Sequence, residues 1–222
     1  GPGYVNVNPV TLGWLHAINF TYEWQARFRG LVSAAIHLDQ PPTLPILLME
    51  NGGLAYARDD QVIVLAPTGD EAWRIGGEDR VVALAHLSGD RLVVRTLNGT
   101  LEIVQNGRVL SRWNVDALDS AIATIGDVII VSNAQNLTGY TLEGVSLWIL
   151  PAESETVSLQ TDESMIIWAA HDANGLVRWQ SITPDGAVRL TQYLVSSSPV
   201  TTPIANGWAI LDGDQVYRII NW

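Results

Sequence analysis

Three things are missing from this 222-residue sequence, and each closes off a class of chemistry. It has no cysteine, which excludes thiol nucleophiles, CxxC redox pairs, thiolate zinc sites, iron–sulfur clusters and disulfides. It has no lysine either: all twelve basic residues are arginine, so Schiff-base chemistry and the P-loop lysine are excluded. No apolar run approaches the roughly 18 residues of a membrane helix, so no membrane span is predicted. Positive charge is scarce as well. Twelve arginines face 23 carboxylates, a net charge of −11, which argues against a phosphate-backbone binder and leaves nucleic acid out of the expected partners. The lack of cysteine suits a cytosolic protein or an exported bacterial-type one, with the exported setting preferred. Gly1-Pro2-Gly3 reads as the scar of a cleaved tag, leaving residues 4–222 as a single domain.

What is present is strand. From Asn19 to Arg29 the residues Phe20, Tyr22, Trp24, Ala26 and Phe28 alternate with polar ones, which a helix would scatter around its circumference. Apolar, β-branched runs recur at Arg80–His86, Arg91–Thr96, Asp127–Ser132 and Ser164–Ala169. Between such runs lie turn clusters, among them Asn51-Gly52-Gly53, Asn98-Gly99, Asn106-Gly107, Glu143-Gly144 and Asp185-Gly186. Asn-Gly and Asp-Gly supply the positive φ angles of tight hairpins, so the chain is predicted to be all-β and antiparallel.

The pattern also repeats. A turn glycine followed by a strand reaching tryptophan occurs at Gly69–Trp73, Gly107–Trp113 and Gly144–Trp148, and Asp185-Gly186 opens a fourth copy that reaches Leu190 instead. The offsets are four, six and four residues, all even, so the tryptophan keeps one strand face. Trp73 and Trp113 stand 40 residues apart, and Trp113 and Trp148 stand 35 apart. Each unit divides into four strands, the cleanest being 80–86, 91–96, 100–105 and 108–113. Four antiparallel strands per repeat of about 40 residues is the blade of a β-propeller. The last repeat holds three strands, 200–205, 207–211 and 215–221. Five blades are predicted, with the Asn19–Arg29 strand closing the last one and removing two open edges. If residues 10–18 and 31–38 are further strands, the chain is instead an open fragment of a larger propeller.

The glycine–strand–tryptophan repeat at Gly69/Trp73, Gly107/Trp113 and Gly144/Trp148 resembles that of the quinoprotein-like (PQQ-like) propellers. That family includes quinone-dependent alcohol dehydrogenases, outer-membrane assembly lipoproteins and sensor domains of receptor kinases. The resemblance implies that the repeat tryptophans, Trp24, Trp73, Trp113 and Trp148, dock between neighbouring blades. The dehydrogenases have eight blades, a calcium ion and often a vicinal disulfide, so the resemblance points to the non-catalytic branch, with no cofactor and no metal. Gly-His and Trp-Asp signatures of WD40 repeats are absent, and Asp172–Trp179 resembles a sialidase Asp-box with altered spacing.

Catalytic chemistry finds little to hold. Histidines 16, 37, 86 and 171 form no i, i+2 or i, i+4 pair, and Asp59, Asp60, Asp79, Asp90, Asp116, Asp119, Asp212 and Asp214 fall at turns, where aspartate bonds the backbone locally. The sequence therefore predicts no catalytic residue. It points to an interaction or sensor module that is part of a larger protein and binds a protein or a small neutral ligand through loops or a central funnel. Trp168, Trp179 and Trp208 fall off the repeat register and are the candidate surface-binding aromatics. A carbohydrate-binding propeller, or a glycoside hydrolase with funnel carboxylates, is the alternative.

Overall fold

The computed structural model describes side chains across residues 41–194, apart from 116–120, 153–155, 157, 162–163, 173 and 175. It describes strand backbone alone across 3–38 and 200–220, without the short junctions there. Among the described residues all regular structure is strand, arranged as successive antiparallel meanders. The first sheet holds β1 (Gly3–Asn8), β2 (Thr11–Ile18), β3 (Thr21–Phe28) and β4 (Leu31–Leu38). The second holds β5 (Leu47–Leu48), β6 (Leu54–Arg58), β7 (Gln61–Leu65) and β8 (Glu71–Gly76). The third holds β9 (Val81–Leu87), β10 (Arg91–Thr96), β11 (Thr100–Gln105) and β12 (Arg108–Asn114). The fourth holds β13 (Ala121–Ile125), β14 (Val128–Ser132), β15 (Asn136–Tyr140) and β16 (Ser146–Pro151). The fifth holds β17 (Thr156–Thr161), β18 (Ile166–His171), β19 (Val177–Ile182) and β20 (Val188–Leu194). Three strands, β21 (Val200–Ile204), β22 (Gly207–Asp212) and β23 (Gln215–Ile220), make the sixth.

The expectation that Asn19–Arg29 closes the last sheet does not hold. β3 lies between β2 and β4, with Trp24 opposite both Leu15 and Ile36, so both of its edges are used within the first sheet. β2 and β4 form its partners, and hairpins to adjacent segments cost far less loop entropy than pairing with a strand two hundred residues away. The described residues thus form six sheets, five of them four-stranded, in place of five with a composite last one.

The chain divides into two compact units, Gly1–Leu110 and Ser111–Trp222, with the boundary inside β12. In the first unit, Met49, Ala55, Ala57, Val62 and Val64 of the second sheet pack against Val81, Leu92, Val94 and Val104 of the third. The opposite face of the second sheet, Leu54, Tyr56, Ile63 and Leu65, is buried too, with Ile46 and Leu48 against it. The second unit repeats the arrangement. In β18, Ile166, Trp168 and Ala170 join Ile125, Ile130 and Leu137 of the fourth sheet. Ile167 and Ala169 point the other way, to Val177, Trp179 and Leu194. The inner strands are therefore covered on both faces, which is why β18 reads as an unbroken apolar run and does not alternate with polar residues. Outer strands differ: β8, β12, β16 and β20 all alternate exposed with half-buried positions.

Trp168 is the centre of the fourth–fifth sheet core. Its side chain is 1% exposed and its Nε1–H donates to Thr156 Oγ1 at 3.1 Å. That hydroxyl also bonds Ser132 Oγ of the fourth sheet, itself fully buried, so one polar chain ties the two sheets through the apolar layer. Trp168→Ala is expected to cost about 3–5 kcal/mol in denaturant unfolding, the range for a large aromatic removed from a core. A loss below about 1 kcal/mol would show that the site collapses around the cavity and that Trp168 does not hold the sheets together.

Candidate functional site

The outer strands carry the repeat signature, and their geometry follows from the turns before them. In three sheets the turn into the outer strand has the same bonds: Ala66 N–H to Asp70 O at 2.8 Å, Thr141 N–H to Val145 O at 2.9 Å, and Thr183 N–H to Ala187 O at 3.0 Å. Gly69, Gly144 and Gly186 take the positive φ each turn requires, at 93°, 81° and 86°. The third sheet instead uses a two-residue turn, Asn106-Gly107, with φ of 50° and 71°. A bulge follows each of the three longer turns. Leu65 pairs with Glu71 but Val64 with Trp73, Tyr140 with Ser146 but Gly139 with Trp148, and Ile182 with Val188 but Ser181 with Leu190. Leu190 thus occupies the tryptophan position of the fifth sheet.

Each repeat tryptophan reaches the turn glycine of the following sheet. Trp73 lies against Gly107, Trp113 against Gly144, and Trp148 against Gly186. A β-carbon placed on Gly144 would stand 2.6 Å from Trp113 Cγ, and one on Gly186 would stand 2.6 Å from Trp148 Cγ. The Trp148 indole also covers Gly139, its cross-strand partner, and its Nε1–H donates to Pro184 O at 2.8 Å. In the preceding repeat the matching carbonyl, Leu142 O, accepts from Ser111 Oγ at 2.7 Å, and Trp113 Nε1 has no partner. The side chain of Trp24, in β3, lies outside the described residues.

Two of the three candidate surface aromatics are core residues. Trp168, in β18, and Trp179, in β19, are 1% and 0% exposed, so the surface-binding assignment is corrected for both. They sit on the second and third strands, where both positions are buried; among the described strands it is the outer ones that alternate exposed with half-buried positions. Arg178 lies over the Trp168 ring, 5.4 Å from its centroid, and donates to Pro151 O at 3.1 Å. Trp208 is in β22, and its side chain lies outside the described residues.

Several of the described carboxylates fasten turns. Glu50 Oε2 accepts from Gly89 N–H at 3.1 Å, while Asp90 Oδ1 accepts from Asn51 N–H at 3.3 Å, a reciprocal link between the second and third sheets. Asp79 accepts from Arg80 N–H at 2.8 Å and from Asn98 N–H at 2.6 Å. Asp172 Oδ1 takes the N–H groups of Asn174 and Leu176 at 2.8 and 2.9 Å. Burial pushes the Asp172 carboxyl up, but these two N–H groups, the Asn174 amide and the Arg178 charge together hold it below the ordinary aspartate value. Among the described residues no three histidines or carboxylates gather as metal ligands would. The side chains of His16, His37, Asp116, Asp119, Asp212 and Asp214 lie outside them.

The surface that sequence reasoning missed is β16. On this outer strand Trp148 and Leu150 turn inward, while Leu147 and Ile149 are 51% and 59% exposed, and Val145, the residue before the strand, is 61% exposed. The positions flanking the tryptophan register elsewhere are Ala72 and Arg74, Arg112 and Asn114, and Arg189 and Thr191, all exposed. Three of the four described outer strands therefore set an arginine where β16 sets leucine and isoleucine. The signal was in the sequence as an absence: between Arg112 and Arg178 there is no arginine, and one histidine, His171, stands against nine carboxylates.

This architecture is that of the β-propellers, all-β folds of repeated four-stranded antiparallel blades. The chain is similar to BamB from Moraxella catarrhalis, with TM-score 0.57 and 17% identity over 76% of this chain. It spans 60% of the length of that BamB chain. It is likewise similar to BBS1N in complex with ARL6DN, with TM-score 0.65 and 14% identity, covering 94% of this chain and 74% of that one. The WD40 domain of Neurospora crassa Pan2 aligns with TM-score 0.68 and 11% identity, covering 98% of this chain and 74% of the other. No family model and no curated protein matches the sequence.

Gly144→Ala and Gly89→Ala separate the two demands on a turn glycine. Gly89 has φ of 73° and open space around it, so alanine there is expected to cost about 1–2 kcal/mol for the backbone alone. Gly144→Ala is expected to cost a further 1–3 kcal/mol or so from the clash with Trp113, and in a Trp113→Ala background that extra cost is expected to vanish. Equal losses at the two glycines in chemical denaturation would refute the docking contact. At Asp172 the depressed carboxyl stabilises the fold above its unfolded value of about 3.9, and that contribution is lost as pH falls through the lower folded value. Thermal melts are expected to show Asp172→Asn less stable than the parent at neutral pH, with the gap closing below about pH 4.

Proposed function

We propose that this chain is a non-catalytic β-propeller interaction module of the PQQ-like repeat type that binds a protein partner. The observation that carries the reading is the uncharged outer strand β16, with Val145, Leu147 and Ile149 in solvent beside sister strands that place arginine at the matching positions. Scattered exposed apolar residues are ordinary, but a contiguous row on one strand marks an interaction surface. The glycine–tryptophan docking favours the PQQ-like type, and the BamB likeness agrees with it. A protein partner is favoured by BBS1N, a structural neighbour solved in complex with ARL6DN. Glu50, Asp79, Asp90 and Asp172 accept from backbone N–H groups, which favours a structural role for these four over general acid or base work.

The competing reading is hydrolysis of a glycoside by clustered carboxylates. The full chain, assayed against aryl glycosides and polysaccharides, is expected to show no turnover above buffer. Turnover abolished by replacing one aspartate or glutamate would overturn the interaction-module reading.

A further inference from the structure

We infer that Asn106-Gly107 is a self-modification site: the Asn106 side-chain amide is lost as ammonia to attack by the Gly107 backbone nitrogen, leaving aspartate or isoaspartate at the tip of the β11–β12 hairpin. This chemistry is independent of what the propeller binds. The chain has five Asn-Gly pairs, at Asn51, Asn98, Asn106, Asn174 and Asn206, and Asn206 lies outside the described residues. Glycine after asparagine leaves the backbone nitrogen open to the neighbouring amide carbon, because no β-carbon stands beside it. All five share that advantage, so the structure must rank them.

Three of the four described pairs are held. Asn98 Oδ1 accepts from Thr96 Oγ1, Thr100 N–H and Thr100 Oγ1 at 2.7, 3.0 and 2.8 Å. The nitrogen that would attack it, Gly99 N–H, donates to Thr96 O at 3.1 Å. Asn51 Oδ1 accepts from Gly53 N–H at 2.7 Å, and Gly52 N–H donates to Met49 O at 3.0 Å. Asn174 Nδ2 donates to Asp172 Oδ2 at 3.4 Å, and its own N–H to Asp172 Oδ1 at 2.8 Å. Asn106 differs in both respects. Its side chain is exposed and, among the described residues, bonds nothing, and Gly107 N–H has no acceptor there. The cause is the turn. A two-residue hairpin closes its ladder through the residues on either side and leaves the inner N–H unused, whereas the longer turns at Gly52 and Gly99 employ it.

The reaction needs only base and water. Base removes the Gly107 N–H proton, the nitrogen bonds Asn106 Cγ, and the Cγ–Nδ2 bond breaks to release ammonia and close a succinimide ring. Water then opens the ring. Cleavage of the new bond at Cγ gives aspartate, and cleavage of the original peptide bond gives isoaspartate, whose main chain runs through Cβ and Cγ. In sum one amide and one water become one carboxylate and one ammonium ion, with no change of oxidation state. Isoaspartate adds a methylene to the main chain of a two-residue turn, at the place where Trp73 docks. A β-carbon on Gly107 would stand 3.6 Å from both Trp73 Cβ and Arg74 O, so the rerouted turn displaces this contact between the second and third sheets. Plain aspartate keeps it, since Asp59 and Asp90 already hold the same left-handed backbone at φ of 53° and 56°.

The test incubates the folded full chain at mildly alkaline pH in heavy-oxygen water, followed by trypsin digestion and fragment-ion mass spectrometry. Labelled oxygen enters a new carboxylate only where the ring opened during the incubation. Asn98 and Asn106 fall on one tryptic peptide, residues 96–108, so their rates are compared within a single fragment. Asn106 is expected to react at least about fivefold faster than Asn51, Asn98 or Asn174, each of which must first give up hydrogen bonds. In guanidinium chloride, where those bonds are gone, the four rates are expected to converge. Any of the three keeping pace with Asn106 in the folded chain would overturn the site, and an Asn106 lead that persists unchanged in guanidinium would overturn its structural basis. Asn106→Asp is expected to melt with the parent, while chain carrying isoaspartate at position 106, separated by ion exchange, melts about 2–4 °C lower. In a Trp73→Ala background that difference is expected to shrink. Equal melting of the isoaspartate chain and Asn106→Asp would overturn the loss of docking.

Discussion

The docking of a tryptophan on a bare turn is the contact on which the outer strands depend. A hairpin turn exposes backbone that most side chains cannot approach, because a β-carbon stands in the way. Gly144 and Gly186 remove that obstacle and supply the positive φ the turn requires, so an indole lies flat where a methyl group would already overlap it. One residue type thus serves local geometry and packing between sheets at once. The tryptophan in turn fixes the strand that carries it: Trp148 covers Gly139 on the adjacent strand and Gly186 on the next sheet, and bonds Pro184 O through its indole N–H. Where the repeat lacks tryptophan, at Leu190, the strand keeps the same bulge and register, so the turn geometry precedes the aromatic contact and does not require it.

Inside that framework the layers are graded. Inner strands are apolar on both faces because both faces are buried, and the alternate residues of β18 feed two different cores. Polar groups cross these layers only with partners, as Thr156 does between Ser132 and Trp168. Acidic groups collect at turns, where backbone N–H groups otherwise lack acceptors. Aspartate and glutamate there act as short-range fasteners, and the reciprocal Glu50–Gly89 and Asp90–Asn51 bonds extend that role from within a turn to between two sheets.

Much of the fold was legible in the sequence because its signals are local. Glycine and asparagine at turns, β-branched runs and an even glycine-to-tryptophan offset each act within a dozen residues, and they placed the strands from Val81 to Leu194 to within a residue or two in most cases. What failed depended on distant pairing or on burial. The Asn19–Arg29 strand was assigned to the chain's far end, but its flanking segments were strands of their own and took both its edges. Trp168 and Trp179 looked like surface residues because they break the repeat register. Yet a core enclosed on both faces accepts aromatics at any inner position with room for them, so register says little about exposure there. The β16 surface was overlooked because its mark is missing charge, which no motif search returns; it emerges only when the residue beside each register position is compared from sheet to sheet.

That comparison also shows where such a fold can vary without harm. The inward face of an outer strand is fixed by the tryptophan and by the glycine it covers. The positions on either side, Ala72 and Arg74 in β8 or Arg189 and Thr191 in β20, are exposed, with Arg74 paired to Glu71 and Thr191 accepting from Gln180. A substitution there changes the charge and polarity of the edge and leaves the core on the opposite face of the strand untouched. An arginine at such a site repels basic segments and discourages edge pairing, whereas Leu147 and Ile149 do neither.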